Sequence, residues 1–140
     1  MTEIPPEIVE NAATDPVQAA LQVLDAFVSA VNASDAKALF RTLNFPHIRM
    51  ASERVAIWNN EEEDVESYLK AFAGRAGSDW HHSTFDSKEV LQSSDTKVHV
   101  AVRFTRWDGP DNIIATYNSL YIVNCVDGHW GIQARSSFAP

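Results

Sequence analysis

From residue 80 to residue 138 the sequence alternates between apolar and polar side chains in four runs, "WHHSTFDSKEVLQ", "TKVHVAVRFTRW", "NIIATYNSLYIVNCV" and "HWGIQARSSF", joined by "SSD", "DGPD" and "DGH". Period-two alternation belongs to strands that bury one face, and short Asp/Gly/Ser joints between such runs make hairpins. The block is therefore a long antiparallel meander. Strands of this length curl under their own twist, so elements laid on the hollow side do not fill it and a cavity is expected.

What covers the hollow lies upstream. "TDPVQAALQVLDAFVSAVNASD" offers Thr14 or Asp15 as a cap, Pro16 in the first turn, and Val17, Ala20, Leu21, Leu24, Phe27, Val28 and Val31 at helical spacing. Ser34 or Asp35 restarts a short helix with Leu39, Phe40 and Leu43 on one face, and Pro46 turns the chain to extended geometry at Phe45. Two short extended pieces follow, "HIRMA" and "RVAIW". Then "NNEEEDVESYLKAFAGRAG" begins with Asn caps and acids suited to a helix dipole, carries Val65, Tyr68, Leu69 and Phe72 as a buried stripe, and ends at glycines 74 and 77. Helices gathered in front of an antiparallel sheet make an α+β architecture, a cone-shaped roll of three N-terminal helices on a strongly curved, mostly antiparallel sheet.

A chain of 140 residues with 45% apolar and 21% charged side chains is expected to form one domain spanning residues 1–140, with a loosely ordered leader at 1–13. The net charge of −8, with eleven scattered Lys and Arg, speaks against nucleic acid or an anionic membrane as partner. The opening "MTEIPPEIVENAA" lacks an apolar signal core, so a cytoplasmic location is expected. The single cysteine, Cys125, sits in the apolar run "LYIVNCV" and reads as a small buried hydrophobe.

The order helix, short helix, two short strands, helix, four-strand meander resembles the nuclear-transport-factor-two-like superfamily, the SnoaL-like or ketosteroid-isomerase-like cone, also described as cystatin-like. "AFVSAVNASDAKALFRTL" is similar to its helix pair, and "VDGHWGIQARSSF" to its closing hairpin. The likeness covers about residues 15–139, and it specifies a fold rather than an activity.

Alternation divides the strands into faces. In "TKVHVAVRFTRW", Val98, Val100, Val102 and Phe104 oppose His99, Ala101, Arg103 and Thr105; in the last strand Trp130, Ile132 and Ala134 oppose Gly131, Gln133, Arg135 and Ser137. The default for a half-exposed antiparallel sheet sends the arginine faces to water. The resemblance implies the reverse, with Gln133, Arg135, Ser137, Arg103 and His99 on the concave side, joined there by His47 and Arg49 of "HIRMA". Guanidinium groups converging on one cavity call for a counter-charge, and a carboxylate-bearing organic ligand suits their planar, bidentate geometry. The ligand-binding set expected is thus His47, Arg49, Arg103, Arg135, Gln133, Asn118 and Trp58. His47 and His99 are the acid/base candidates should the protein be a lyase, isomerase or cyclase.

The resemblance also implies what is missing for isomerase chemistry: Phe27 stands at the place of the helix tyrosine, "HIRMA" supplies no carboxylate base, and Leu120 matches the later acid. A dehydratase-like set of His47, His99, Tyr117 and Tyr121 keeps a second option open, although both tyrosines fall on the convex face by this reading. A non-catalytic dimer module is the third. With Val98, Val100, Val102, Phe104, Tyr117, Tyr121, Val123, Trp130 and Ile132 outward, the convex face would be too apolar to stay wet, and a homodimer through it is expected.

Other patterns carry less. His81 and His82 are adjacent, and neighbours on a strand point to opposite faces, so no shared metal ion is expected of them. No cofactor motif is present, Ser-His-Asp chemistry has no elbow to aim it, and the acceptor pattern Asn32-Ala33-Ser34 joins two helices.

Overall fold

The computed structural model describes residues 15–60 and 65–140. In chain order these form α1 (Pro16–Ala33), α2 (Ala36–Arg41), β1 (Leu43–Met50), β2 (Val55–Trp58), α3 (Val65–Ala76), β3 (Trp80–Ser93), β4 (Lys97–Asp108), β5 (Ile113–Val126) and β6 (His129–Ser137). The expected leader, the acidic run at 61–64 and the side chain of Val65 lie outside what is described.

Local chemistry sets the helix ends. Asp15 caps α1 by accepting from Val17 N (3.0 Å), with Pro16 at the first helical position, and Ser34 closes it in the left-handed region. Asp35 then caps α2 through Ala38 N. Helix α2 stops at Arg41, and Leu43, expected on its apolar face, already belongs to β1, which runs on through the cis Phe45–Pro46 peptide. Gly77 ends α3 at positive φ, whereas Gly74 lies within the helix.

The six strands form one curved, open sheet in the order β2-β1-β6-β5-β4-β3, antiparallel except for the β1–β6 pair. The parallel step brings β1 beside the last strand of the meander, and the three helices cover one face. Ala19, Ala20, Val23, Leu24, Phe27 and Val31 of α1 pack with Val98, Val100, Val102, Val123, Trp130 and Ile132. Each such large aliphatic chain contributes about 1.5–3 kcal/mol through burial. Helix α1 is also pinned to β3 by the Asn32 carboxamide, which donates to Ser83 O and accepts from Ser83 N (both 2.8 Å).

The inner face corrects the sequence reading. Val98, Val100, Val102, Phe104, Tyr121, Val123, Trp130 and Ile132 are buried beneath the helices, not on an outer convex surface. The reason is energetic: the apolar stripes of the helices need the apolar face of the sheet, and that demand outweighs a strand parity carried over from the closing hairpin. Cys125 is half-buried against the core.

Candidate functional site

Strands β1, β4 and β6 each aim one arginine into the covered hollow: Arg49 and Arg106, both 4% exposed, and Arg135, 6% exposed. With Tyr68 and Phe72 of α3, Phe27, Val28 and Val31 of α1, and Ser83, Phe85, Phe104, Tyr121 and Ser137 of the sheet, they line a cavity of about 40 Å³. That is room for about two or three water molecules.

Arg135 is the centre of the arrangement. Its Nη2 donates to the Tyr68 hydroxyl, a second hydrogen bond reaches the Tyr121 hydroxyl, and its guanidinium lies over the rings of Phe27 (5.0 Å) and Tyr68 (5.4 Å). Among the described residues no carboxylate pairs with it, and its buried Nε has no hydrogen-bond partner. Burial opposes its charge, the phenols of Tyr68 and Tyr121 favour it, and the guanidinium stays protonated. Tyr121 is held neutral by its own burial, against the pull of Arg135. Arg106 stacks over Phe72, Phe104 and Tyr117 at 5.3–5.8 Å; burial lowers its pKa, and Tyr117 and Tyr121 work the other way. Such cation–π contacts stabilise a desolvated cation by about 0.5–2 kcal/mol each.

How Arg135 comes to face inward is a matter of one residue. Val123 pairs with Ile132, but Ile122 pairs with Ala134, so Gln133 is the extra residue of a bulge. The bulge shifts the parity, and Ile132 and Arg135 share the inner face although both alternation and family matching set them apart. Gln133 turns to the strand junction, where it accepts from Asn124 (3.1 Å) and donates to Asn44 O (3.4 Å) and Pro46 O.

The remaining expected residues divide. His47 is fully buried on β1, with Nδ1 2.9 Å from Ile132 O, so Nδ1 carries the proton and Nε2 is a bare acceptor with no partner. Desolvation, then the charge of Arg135, and to a smaller degree that of Arg49, lower its pKa to about 3, against the hydrogen bond to Ile132. It is a neutral imidazole behind the arginines, poorly suited to accept a proton near neutral pH. Trp58 packs between His47 and Tyr68 (ring centroids 5.6 and 5.2 Å) and lines not the cavity but an adjoining groove of about 600 Å³, with Ala56, Ala71, Gly74 and Phe138; Arg49 borders both. Arg103, Asn118 and His99 are corrected: Arg103 and Asn118 are exposed on the outer face, 3.5 Å apart, and His99 meets Gln92 there, because Val98 to Phe104 claim the interior. Tyr121 moves the other way, into the cavity, and Leu120 sits outward, paired with Ala101 and Ser136.

Arg106 and Tyr68 were missed as site residues, and Tyr121, named in the dehydratase-like set, was placed on the wrong face. Arg106 is the next inward position after Val98, Val100, Val102 and Phe104, so the same alternation carried two residues further finds it. The Tyr68 stripe was legible; its hydroxyl partner was not.

The sequence model of the NTF2-like protein family DUF6841 matches residues 18–137. The chain belongs to that family. No curated protein matches it. Among solved structures, a protein of unknown function with a cystatin-like fold from Nostoc punctiforme superposes with a TM-score of 0.73 at 13% identity, covering 94% of this chain and 95% of that one. A ketosteroid isomerase-like protein from Erwinia carotovora atroseptica gives 0.64 at 20% identity, with coverage of 87% and 94%. A putative dehydratase of the NTF2-like family from Streptomyces avermitilis gives 0.66 at 12%, with coverage of 89% and 95%. At these identities the likeness shows the NTF2-like cone and no activity. Among the described residues no helix is long and apolar enough to cross a membrane.

Proposed function

We propose that this NTF2-like protein binds the carboxylate of a small organic acid in the cavity between α1, α3 and the sheet, with Arg135 as the anchor. The observation that carries the reading is the Arg135 guanidinium, 6% exposed, held by two phenols and two aromatic rings and facing no described carboxylate. Leaving a cation desolvated without an opposite charge costs on the order of several kcal/mol, and an anionic guest offsets that cost. Arg106 and Arg49 add positive field from two further strands, and Tyr121, accepting from Arg135, retains a hydroxyl proton to donate. Planar donors and phenols suit a planar carboxylate. Phe27, Phe72, Phe85 and Phe104 favour an apolar body behind that head group, and a body larger than acetate requires the side chains to part.

Titration calorimetry with acetate, benzoate and the neutral benzamide tests this. The acids bind with a common site and benzamide does not, and Arg135→Met loses acid binding at least tenfold while melting at or above the parent temperature, since a buried cation has been replaced by a matching apolar chain. Benzamide binding as well as benzoate, or unaltered acid binding by Arg135→Met, overturns the reading.

A further inference from the structure

The geometry points to a divalent-metal chelate on the outer face of the sheet, formed by Nδ1 of His81 and Nδ1 of His82 and suited to Cu²⁺. Regular strand geometry forbids this pairing, and the structure departs from it at this spot. Trp80 pairs with Asp108 while His82 pairs with Trp107, which leaves His81 as the extra residue of a bulge. Trp80 and Ser83 are thereby linked through Trp80 Nε1 and Ser83 Oγ (2.9 Å), with Trp80 against Phe72. The two imidazoles come together beside them, their Nδ1 atoms 3.0 Å apart.

That separation is the informative quantity. Two nitrogens each about 2.0–2.1 Å from one ion lie roughly 2.9 Å apart at a right angle and about 3.4 Å apart at the tetrahedral angle. The pair therefore matches the bite of a square-planar or tetragonal ion better than that of tetrahedral zinc, and copper also stands highest in intrinsic affinity for imidazole. Without metal, one Nδ1 carries its ring's proton and the other accepts it; to bind an ion through both Nδ1 atoms the donor ring changes tautomer, its proton passing through solvent to its own Nε2, so both imidazoles stay neutral.

The rings are supported as ligands should be. His82 stacks on Trp107 with 5° between the planes and 6.0 Å between centroids. The indole is tied by Nε1 to Thr84 Oγ1 (2.9 Å), and the Thr84 hydroxyl to Asp86 (2.7 Å). His81 is exposed and His82 half-buried, so an ion reaches them without unfolding anything. Among the described residues no third ligating side chain joins them, which leaves the other equatorial positions to water or to an incoming ligand.

Trp107 supplies the readout. Titrating the untagged full chain with CuSO₄ in a non-coordinating buffer is expected to quench tryptophan fluorescence saturably at one equivalent, with nitrogen couplings from two imidazoles in the electron paramagnetic resonance spectrum. His81→Ala and His82→Ala each weaken this binding at least tenfold, His99→Ala leaves it unchanged, and Zn²⁺ competes poorly. Quenching that does not saturate, or His81→Ala and His82→Ala proteins that bind copper like the parent while showing its circular dichroism, removes the site.

Discussion

His47 shows how one buried side chain couples this site to stability. Its folded pKa of about 3 lies below the usual 6.5, so the unfolded chain takes up a proton that the folded one refuses. The stability contributed by the neutral imidazole is complete above about pH 6.5 and drains away as pH falls toward 3, with a slope approaching 1.4 kcal/mol per pH unit. Urea unfolding is expected to show a loss of roughly 1.5 kcal/mol between pH 6.5 and 5 from this residue alone. In His47→Gln that part of the slope disappears, whatever the variant's stability at pH 7; an unchanged slope would mean that the imidazole is already charged in the fold. Of the arginines, the inward positions of Arg49 and Arg135 were readable only through the family match, which for Arg135 hid a bulge. Arg103 was misplaced for a physical reason: a valine row and an arginine row compete for one interior, and the valines fill it.

At the scale of elements, the meander was legible almost to the residue because alternation and turn chemistry agree, and the capped helices because Asp15, Pro16 and Asp35 act locally. The faces were not, since the bulges at His81 and Gln133 depend on the partner strand and leave no mark in local composition. The parallel β1–β6 junction is a second non-local feature, and it rests on a close approach. A Cβ at Gly131 would stand 2.8 Å from the Leu43 carbonyl carbon and 2.9 Å from Asn44 N, backbone atoms that cannot swing aside. Gly131→Ala is therefore expected to cost about 2–3 kcal/mol in chemical denaturation and to loosen β1, exposing its amides to exchange ahead of those of β4. A cost below 0.5 kcal/mol would show that the junction yields freely. The same junction carries the clasp in which His129 bridges Asn44 Oδ1 (2.7 Å) and Arg41 O (2.8 Å), so the helix α2 terminus moves with it.

For the molecule as a whole, reversing the faces of β4 and β5 removes the residues first expected to form a dimer, yet the outer surface is not polar throughout. Ile57 pairs with Ile48, Ile48 with Ala134 and Ala134 with Ile122, while Val55 faces Met50 on the neighbouring row. Val55, Ile57 and Met50 are 63%, 58% and 44% exposed, and no charged side chain interrupts the Ile57-to-Ile122 row. We propose that a second copy of the chain covers this patch, because a row crossing four strands is self-complementary under two-fold rotation and its neighbours Leu120 and Ala101 extend it toward β4. Sedimentation at micromolar concentration is then expected to give twice the 15.6 kDa chain mass. Ile57→Asp, placed where the side chain already meets solvent, shifts the equilibrium to monomer without lowering the unfolding free energy of the monomer by more than about 0.5 kcal/mol. A parent that sediments as a monomer refutes the patch as a self-association surface, and an Ile57→Asp protein that stays dimeric moves the interface elsewhere. Because the arginine cavity opens on the opposite face of the sheet, its affinity for benzoate is expected to be the same in both assembly states.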